Sequence, residues 1–408
     1  QAGWFQQQGV AEPNMARFLD LVALGTVADV VPLDYNNRIF VQQGVTRMRS
    51  GRVRPGLAAL LRVAGRRLET LVAADLGFAL GPRLNAAGRL DDMGRGIRCL
   101  LSEDMATAEP LAVELDELNK QRRDIEQEMK EGAVASLDSL NLDDSQLPFG
   151  LCLYQPDWHQ GVVGIVAARI REKYHRPVIA FAGAGNSKDS DNPEGLIKGS
   201  ARSVSGFHIR DALDRIAAAQ PGLIRKFGGH AMAAGLELSL ADYEAFSVAF
   251  DQVVREQLSA ADLRGQVLSD GELPPSLLGL ELAQSLRDSG PWGQHFPEPV
   301  FDGEFIIRQQ KLVAGRHLKL VVAPPADPGR CLDAIWFNVD TQCWPNPSIQ
   351  RAHVAYRVDA KEFRGRVNLQ LMVSHLEARK GACYSLSAAF GDRCRGAARR
   401  STVARVGD

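Results

Sequence analysis

"FGLCLYQPDWHQGVVGIVAARIREKYHRPVIAFAG", from Phe149 to Gly183, places two short apolar runs around a longer one. "FGLCLYQ" and "PVIAFAG" have the length and apolar continuity of buried strands. "GVVGIVAARIREKYH" between them spans several turns and gathers its charges toward one end, as a helix buried on one face would. Strand, helix and strand in that order are the unit of an α/β domain. Beyond them "LIKGSARSV" reads as a strand and "HIRDALDRIAAA" as a helix. Ser239 with Asp242 forms an S-x-x-D capping signal ahead of the helix "YEAFSVAFDQVVREQL". The polar loop "GAGNSKDSDNPEG" lies inside this segment, and its D-x-D pair, Asp189 and Asp191, reads as a solvated turn.

Working outward, residues 1–101 alternate short helices with Gly/Pro loops, which suits the outer half of an α/β domain. Two of those loops have unusual composition, "GTVADVVPLDYNNR" and "GPRLNAAGRLDDMG". Residues 102–146 differ: Leu111, Leu115, Leu118, Ile125 and Met129 recur at helical spacing with charges between them. One long connecting helix is expected, with Pro110 kinking it or marking its start. The α/β unit then occupies 147–258. From 259 to 376 apolar residues alternate in period two between close turns, as in a small all-β barrel or sandwich. The tail 377–408 carries seven Arg and Lys and no periodicity, so disorder is expected there.

At 408 residues the chain should hold two or three domains, and no apolar run approaches a membrane span. The six cysteines are scattered without a C-x-x-C, which fits reduced thiols and a cytoplasmic protein. A net charge of −1 does not advertise a nucleic-acid partner, but Gly51 to Arg98 holds nine arginines against four acids. Arginine forks suit phosphate, although a GC-rich genome would produce the same bias.

Several loops carry chemistry that stays ambiguous one by one. Asp29, in "GTVADVVPLDYNNR", is either an ordinary cap or a ligand for a hard metal ion, and as a ligand it needs partners. In "GPRLNAAGRL", Arg83 and Arg89 flank Asn85 among small residues, so they could hold an anion or simply border a turn. Ser200 and Arg202 in "KGSARS" alternate onto one strand face, as a phosphate site or a polar edge would require. His159 and Gln160 open a buried helix, where backbone N–H groups favour anions and where a histidine can also serve as an N-cap. In "KFGGHAMAAG", Gly228 and Gly229 beside His230 permit close approach to the backbone, by a turn or by a phosphate.

"LDLVALGTVADVVPLDYNNR", "GFALGPRLNAAGRLDD", "WHQGVVGIVAARI", "IKGSARS" and "KFGGHAMAAG", taken together and in this order, closely resemble the RecJ family. These are bacterial single-strand-specific 5′→3′ DNA exonucleases of the DHH phosphoesterase superfamily. The resemblance implies an α/β fold: the C-terminal part of a DHH domain, the connecting helix, a DHHA1 domain and an OB-fold that holds single-stranded DNA. It implies metal-dependent phosphodiester hydrolysis in DNA repair and recombination, with two Mn²⁺ or Mg²⁺ ions. Asp29 matches the family's fourth metal-binding motif, and Arg83 and Arg89 lie in the family motif that follows it, facing the scissile and terminal phosphates. Ser200 and Arg202 match a pocket for the DNA 5′-phosphate, and His230 belongs to the GGH signature beside the reacting phosphate. On the OB-fold, Arg316, Lys319, Trp336 and Phe337 are the candidates, with one of the two adjacent aromatics pointing inward. The family's D-x-D and Asp-His-His motifs are expected before Gln1 and are absent from this sequence, so a fragment without cutting activity is expected.

The expected partners are single-stranded DNA with a 5′ end, a single-strand-binding protein and a helicase, with the chain itself a monomer. Two other classes stay open, a non-catalytic single-strand-binding module and a DHH-family phosphodiesterase for small nucleotides.

Overall fold

The computed structural model describes residues 2–139, 147–183, 195–339, 341, 343–363, 366–379 and 401–405. In chain order come helices α1 (Ala2–Gln7), α2 (Leu19–Ala28), α3 (Tyr35–Arg49), α4 (Pro55–Val63), α5 (Ala73–Asp75), α6 (Gly81–Leu90), α7 (Gly94–Leu101) and α8 (Met105–Ser139). Then follow β1 (Leu151–Tyr154), α9 (Gln160–Tyr174), β2 (Val178–Gly183), β3 (Leu196–Arg202), α10 (Ile209–Ala219), β4 (Lys226–Gly229), β5 (Ala233–Ser239), α11 (Tyr243–Gln257) and β6 (Gly265–Ser269). The chain continues with α12 (Leu280–Asp288), β7 (Phe301–Val313), β8 (His317–Ala323), β9 (Leu332–Trp336), β10 (Arg351–Phe363), β11 (Arg366–Ala378) and β12 (Ser401–Arg405). They fall into two compact units.

The first unit takes Gln1–Gln121, Gly279–Pro299 and Val358–Leu369. Its core joins Leu24, Val41, Met48, Leu57, Leu60, Leu76, Leu80, Leu84 and Leu115, all buried. Gly44 has no side chain because α2 crosses it at Leu19 and Ala23. Asp20 is buried at the start of α2, where it accepts from the Arg54 backbone N–H at 3.1 Å and from Arg54 Nε at 3.2 Å. Unpaired, that carboxylate would cost several kcal/mol. The "GPRLNAAGRL" segment is helix α6, not the expected loop. Pro82 sits in its first turn, where a missing N–H costs nothing, and Leu84, Ala86 and Ala87 are buried beneath it. The other expected loop shrinks as well, because α2 runs to Ala28 and α3 starts at Tyr35. Pro110 lies inside α8 and does not mark its start.

The second unit takes Arg122–Leu278, Val300–Arg357 and Gln370–Asp408. It contains a five-stranded sheet in the order β1-β2-β3-β5-β4. β1 and β2 are parallel and joined through α9, while the remaining neighbours are antiparallel. One sheet face carries Ile179, Phe181, Ile197, Ala201, Ala234, Leu236 and Leu238, packed with Phe246 and Phe250 of α11 and Leu213 of α10. Ser239 caps a 3-10 turn, Leu240–Asp242, and α11 begins only at Tyr243.

Apart from Val358–Leu369, which are counted with the first unit, the same unit contains a closed barrel in the order β10-β11-β9-β8-β7. Five strands closing on a core that includes Leu318, Leu320, Val322, Ala334, Val354, Tyr356 and Leu371 give the small barrel that the period-two pattern suggested. The barrel strands begin at Phe301, well after Ser259. Within the tail expected to be disordered, β12 pairs in parallel with β6, and Arg405 reaches the buried Asp302 at 3.1 Å.

Candidate functional site

The other face of the five-stranded sheet is organised in cross-strand rows. Partners directly opposite one another share a face. Arg202 is opposite Ala233. The next row is Ser200, Gly235 and Gly228, and the row after it Lys198, Glu237 and Lys226. Helix α9 covers the β3 end of this face, while Gly228, Gly235, Lys198 and Lys226 stay exposed. Successive rows lie about 7 Å apart along the strands, and neighbours within a row about 4.8 Å.

Arg202 donates from Nη1 to Ser200 Oγ at 3.0 Å and to the Ala201 carbonyl at 2.7 Å. Gly164 of α9 permits this arrangement. A Cβ there would stand 2.8 Å from Ser200 Oγ and 2.9 Å from Arg202 Nη2. His159 is the N-cap of α9, its Nδ1 accepting from the Gly161 N–H at 3.0 Å. Gln160 donates to the Gly183 carbonyl. Both residues at the start of α9 thus have partners within the fold.

The two glycines before His230 have different reasons. Gly229 has φ +146°, and a Cβ would meet the Ala233 carbonyl at 2.5 Å, so the β4–β5 turn itself demands glycine. A Cβ on Gly228 would meet nothing within 4 Å. His230 is exposed, and its N–H donates to the Ala233 carbonyl at 2.8 Å. Behind it the Ala231 and Met232 carbonyls accept from Ile209 and Ser203, which fixes the turn.

In the first unit the outcome is mixed. Arg83 is committed inside the fold: Nε and Nη2 contact Asp116 Oδ1 at 2.9 and 2.7 Å, and Nη1 donates to the Ala79 carbonyl at 2.6 Å. With 11% of its side chain exposed, it braces α6 against α8 and does not present itself to a phosphate. Burial alone would raise the Asp116 carboxyl. The hydrogen bond from Lys120 and the charge and hydrogen bond of Arg83 overcome that and hold it below the usual value. Asn85 and Arg89, one helical turn apart on α6, are exposed. Asp29 is the exposed C-cap of α2, its N–H bonded to Gly25. Among the described residues no group of three or more His, Cys, Asp or Glu could hold a metal ion. A lone exposed carboxylate does not fit a catalytic metal centre. Asp189 and Asp191 lie outside the described residues.

On the barrel, Trp336 pairs with the fully buried Leu318 and packs edge-on against Trp344 at 5.9 Å. Phe337, just past the strand, is 45% exposed and set edge-on against His317 at 4.9 Å. Phe337 is therefore the more exposed of the two aromatics, and Trp336 is half-buried. Lys319 is paired with Asp333 at 3.2 Å and stands opposite Lys311, and Arg316 is exposed in the β7–β8 turn. The sequence reading missed Lys198, Lys226, Gly164 and Gly235, which only the strand register and the crossing of α9 bring together.

Residues 148–256 match the DHHA1 domain, and residues 269–375 match the RecJ OB domain. The chain is 54% identical over 376 residues to the single-stranded-DNA-specific exonuclease RecJ of Dickeya dadantii, covering 92% of this chain and 64% of that protein. It is 53% identical over 374 residues to the one from Escherichia coli, covering 92% and 63%. The chain thus spans a little under two thirds of the curated relatives' length. The crystal structure of RecJ in complex with Mg²⁺ from Thermus thermophilus superposes with a TM-score of 0.72 at 27% identity, covering 92% of this chain and 54% of that one. The corresponding Mn²⁺ complex gives 0.70 at 27% identity, covering 92% and 52%. Among the described residues no helix is long and apolar enough to cross a membrane.

Proposed function

The chain belongs to the RecJ family, and from that premise we propose that it forms the DNA-gripping part of a single-strand-specific 5′→3′ exonuclease. The observation that carries this reading is the Ser200–Arg202 pair beside the exposed Gly228–Gly235 row. A guanidinium held in place by a hydroxyl and a carbonyl is ready to bind a terminal phosphate without first paying to order its side chain. The exposed Lys198 and Lys226 add positive charge one row away, and His230 at the turn can donate to a bound oxygen. On the barrel, Phe337 offers a ring for a base and Arg316 a charge for the backbone. Exposed Asn85 and Arg89 are proposed as additional contacts to the DNA backbone.

The related crystal structures hold Mg²⁺ or Mn²⁺, ions that activate water and stabilise an in-line displacement. The donor set described in this chain does not fit such ions, so gripping is proposed for it and cutting is not. The barrel argues against a small-nucleotide phosphodiesterase, which would have no use for an extended strand-binding module. The test is binding of single-stranded oligonucleotides with and without a 5′-phosphate over a range of salt. Tighter binding of the phosphorylated strand and a steep salt dependence support the reading, and salt-insensitive binding contradicts it.

A further inference from the structure

Resting on the phosphate-grip reading above, we propose that Gly235 is a specificity-determining residue, kept bare so that the sugar-phosphate of a strand's 5′-terminal nucleotide can lie directly on the sheet. Glycine in the middle of a strand weakens it, so such a position needs a reason. Of the other glycines of this sheet, Gly199 and Gly229 have reasons within the fold, whereas Gly228, opposite Gly235, is as open as Gly235 itself. At Gly199 a Cβ would meet Leu236 and Phe181 side chains at 2.6 Å, and at Gly229 the turn imposes φ +146°. Gly235 has neither constraint. The nearest atom to a Cβ there is the Gly199 carbonyl at 4.0 Å, and its φ lies outside the left-handed range. It is also exposed, although its strand neighbours Ala234 and Leu236 are buried.

Its position suits a phosphorylated chain end. Gly235 is directly opposite Ser200 on one side and Gly228 on the other. This gives a side-chain-free floor, with the Ser200 hydroxyl at its inner end. Arg202 stands one row to one side, and Lys198 and Lys226, with Glu237 between them, one row to the other. A sugar and its phosphate can touch exposed backbone between these cationic rows. A branched side chain at 235 would lift them away from Ser200 and Arg202.

The experiment measures affinity of the full chain, its Gly235→Ala and its Gly235→Val variants for one single-stranded oligonucleotide carrying either a 5′-phosphate or a 5′-hydroxyl, with thermal melting alongside. The expected result is unchanged or raised melting temperatures, with the 5′-phosphate preference reduced about tenfold in the valine variant and less in the alanine variant. A stable valine variant that keeps the preference overturns the proposal and leaves the phosphate-grip reading standing. A marked fall in melting temperature for both variants overturns it too, because the glycine would then be structural. A wild-type chain without any 5′-phosphate preference removes the reading itself, and the proposal with it.

Discussion

The Arg202 guanidinium bonds the Ser200 hydroxyl at 3.0 Å on the same face of β3, with Gly164 of α9 lying against both. The pair is therefore held by a neighbouring helix as well as by its own strand, and it can be tested from either side.

Gly164→Ala should destabilise the second unit by about 1–3 kcal/mol, as overpacking does, because its Cβ would press on Ser200 Oγ and Arg202 Nη2. Ser200→Ala removes one of those two contacts, so the double variant should lose less stability than the two single losses added. Urea unfolding of all four forms measures this coupling. Simple additivity would mean that α9 relaxes away from the pair.

The Arg83–Asp116 contact predicts a structural phenotype. Arg83→Ala leaves a buried carboxylate with Lys120 as its remaining cation, which should cost about 3 kcal/mol without changing DNA affinity. The Asp116 carboxyl is depressed in the folded chain. Its contribution is thus present above the ordinary value of about 4 and drains as pH falls below that value. Asp116→Asn should flatten the acid limb of stability against pH. Weakened DNA binding by a well-folded Arg83→Ala variant would restore the phosphate-facing role expected from the sequence.

The barrel aromatics should separate cleanly. Phe337→Ala is expected to weaken single-strand binding by about 1–3 kcal/mol, the value of one base stacked on a ring, with little effect on melting. Trp336→Ala should instead lower the melting temperature, since that ring packs on Trp344. Fluorescence anisotropy with a labelled oligonucleotide, alongside thermal melts, distinguishes the two. The reverse pattern would return the binding role to Trp336.

Cleavage is expected to be negligible. Incubated with Mn²⁺ and a 5′-phosphorylated single strand, the chain should release no nucleotides on a denaturing gel. Robust degradation, with contaminating nuclease excluded by an Arg202→Ala control prepared identically, would show that a metal centre does assemble.

The contrast between legible and illegible features has physical causes. The run from Phe149 to Gly183 is legible because two short apolar strands flank a longer amphipathic helix and polar residues bound each of them. Period-two alternation likewise announced the barrel. "GPRLNAAGRL" looked like a loop because proline, glycine and alanine carry little periodic signal, yet Pro82 sits where a helix tolerates it and Leu84, Ala86 and Ala87 are buried. "KFGGHAMAAG" was legible as a place of close approach, but small residues hid the fact that it forms two paired strands. Arg83 was picked out for its charge, and its partner 33 residues away could not be read from spacing. The Ser200–Gly235–Gly228 row depends on strand register, which local sequence does not encode.

The central claim is that this chain recognises the phosphorylated end of a single strand through Ser200 and Arg202. Its most direct test is the dissociation constant for one single-stranded oligonucleotide with a 5′-phosphate against the same strand with a 5′-hydroxyl, in the wild-type chain and in Arg202→Ala. The expected result is a preference of about tenfold or more for the phosphate, in line with ~1.5–3 kcal/mol for hydrogen bonds to a charged group, abolished by the substitution. Equal affinity for the two ends, or a preference that survives in a folded Arg202→Ala variant, would contradict it.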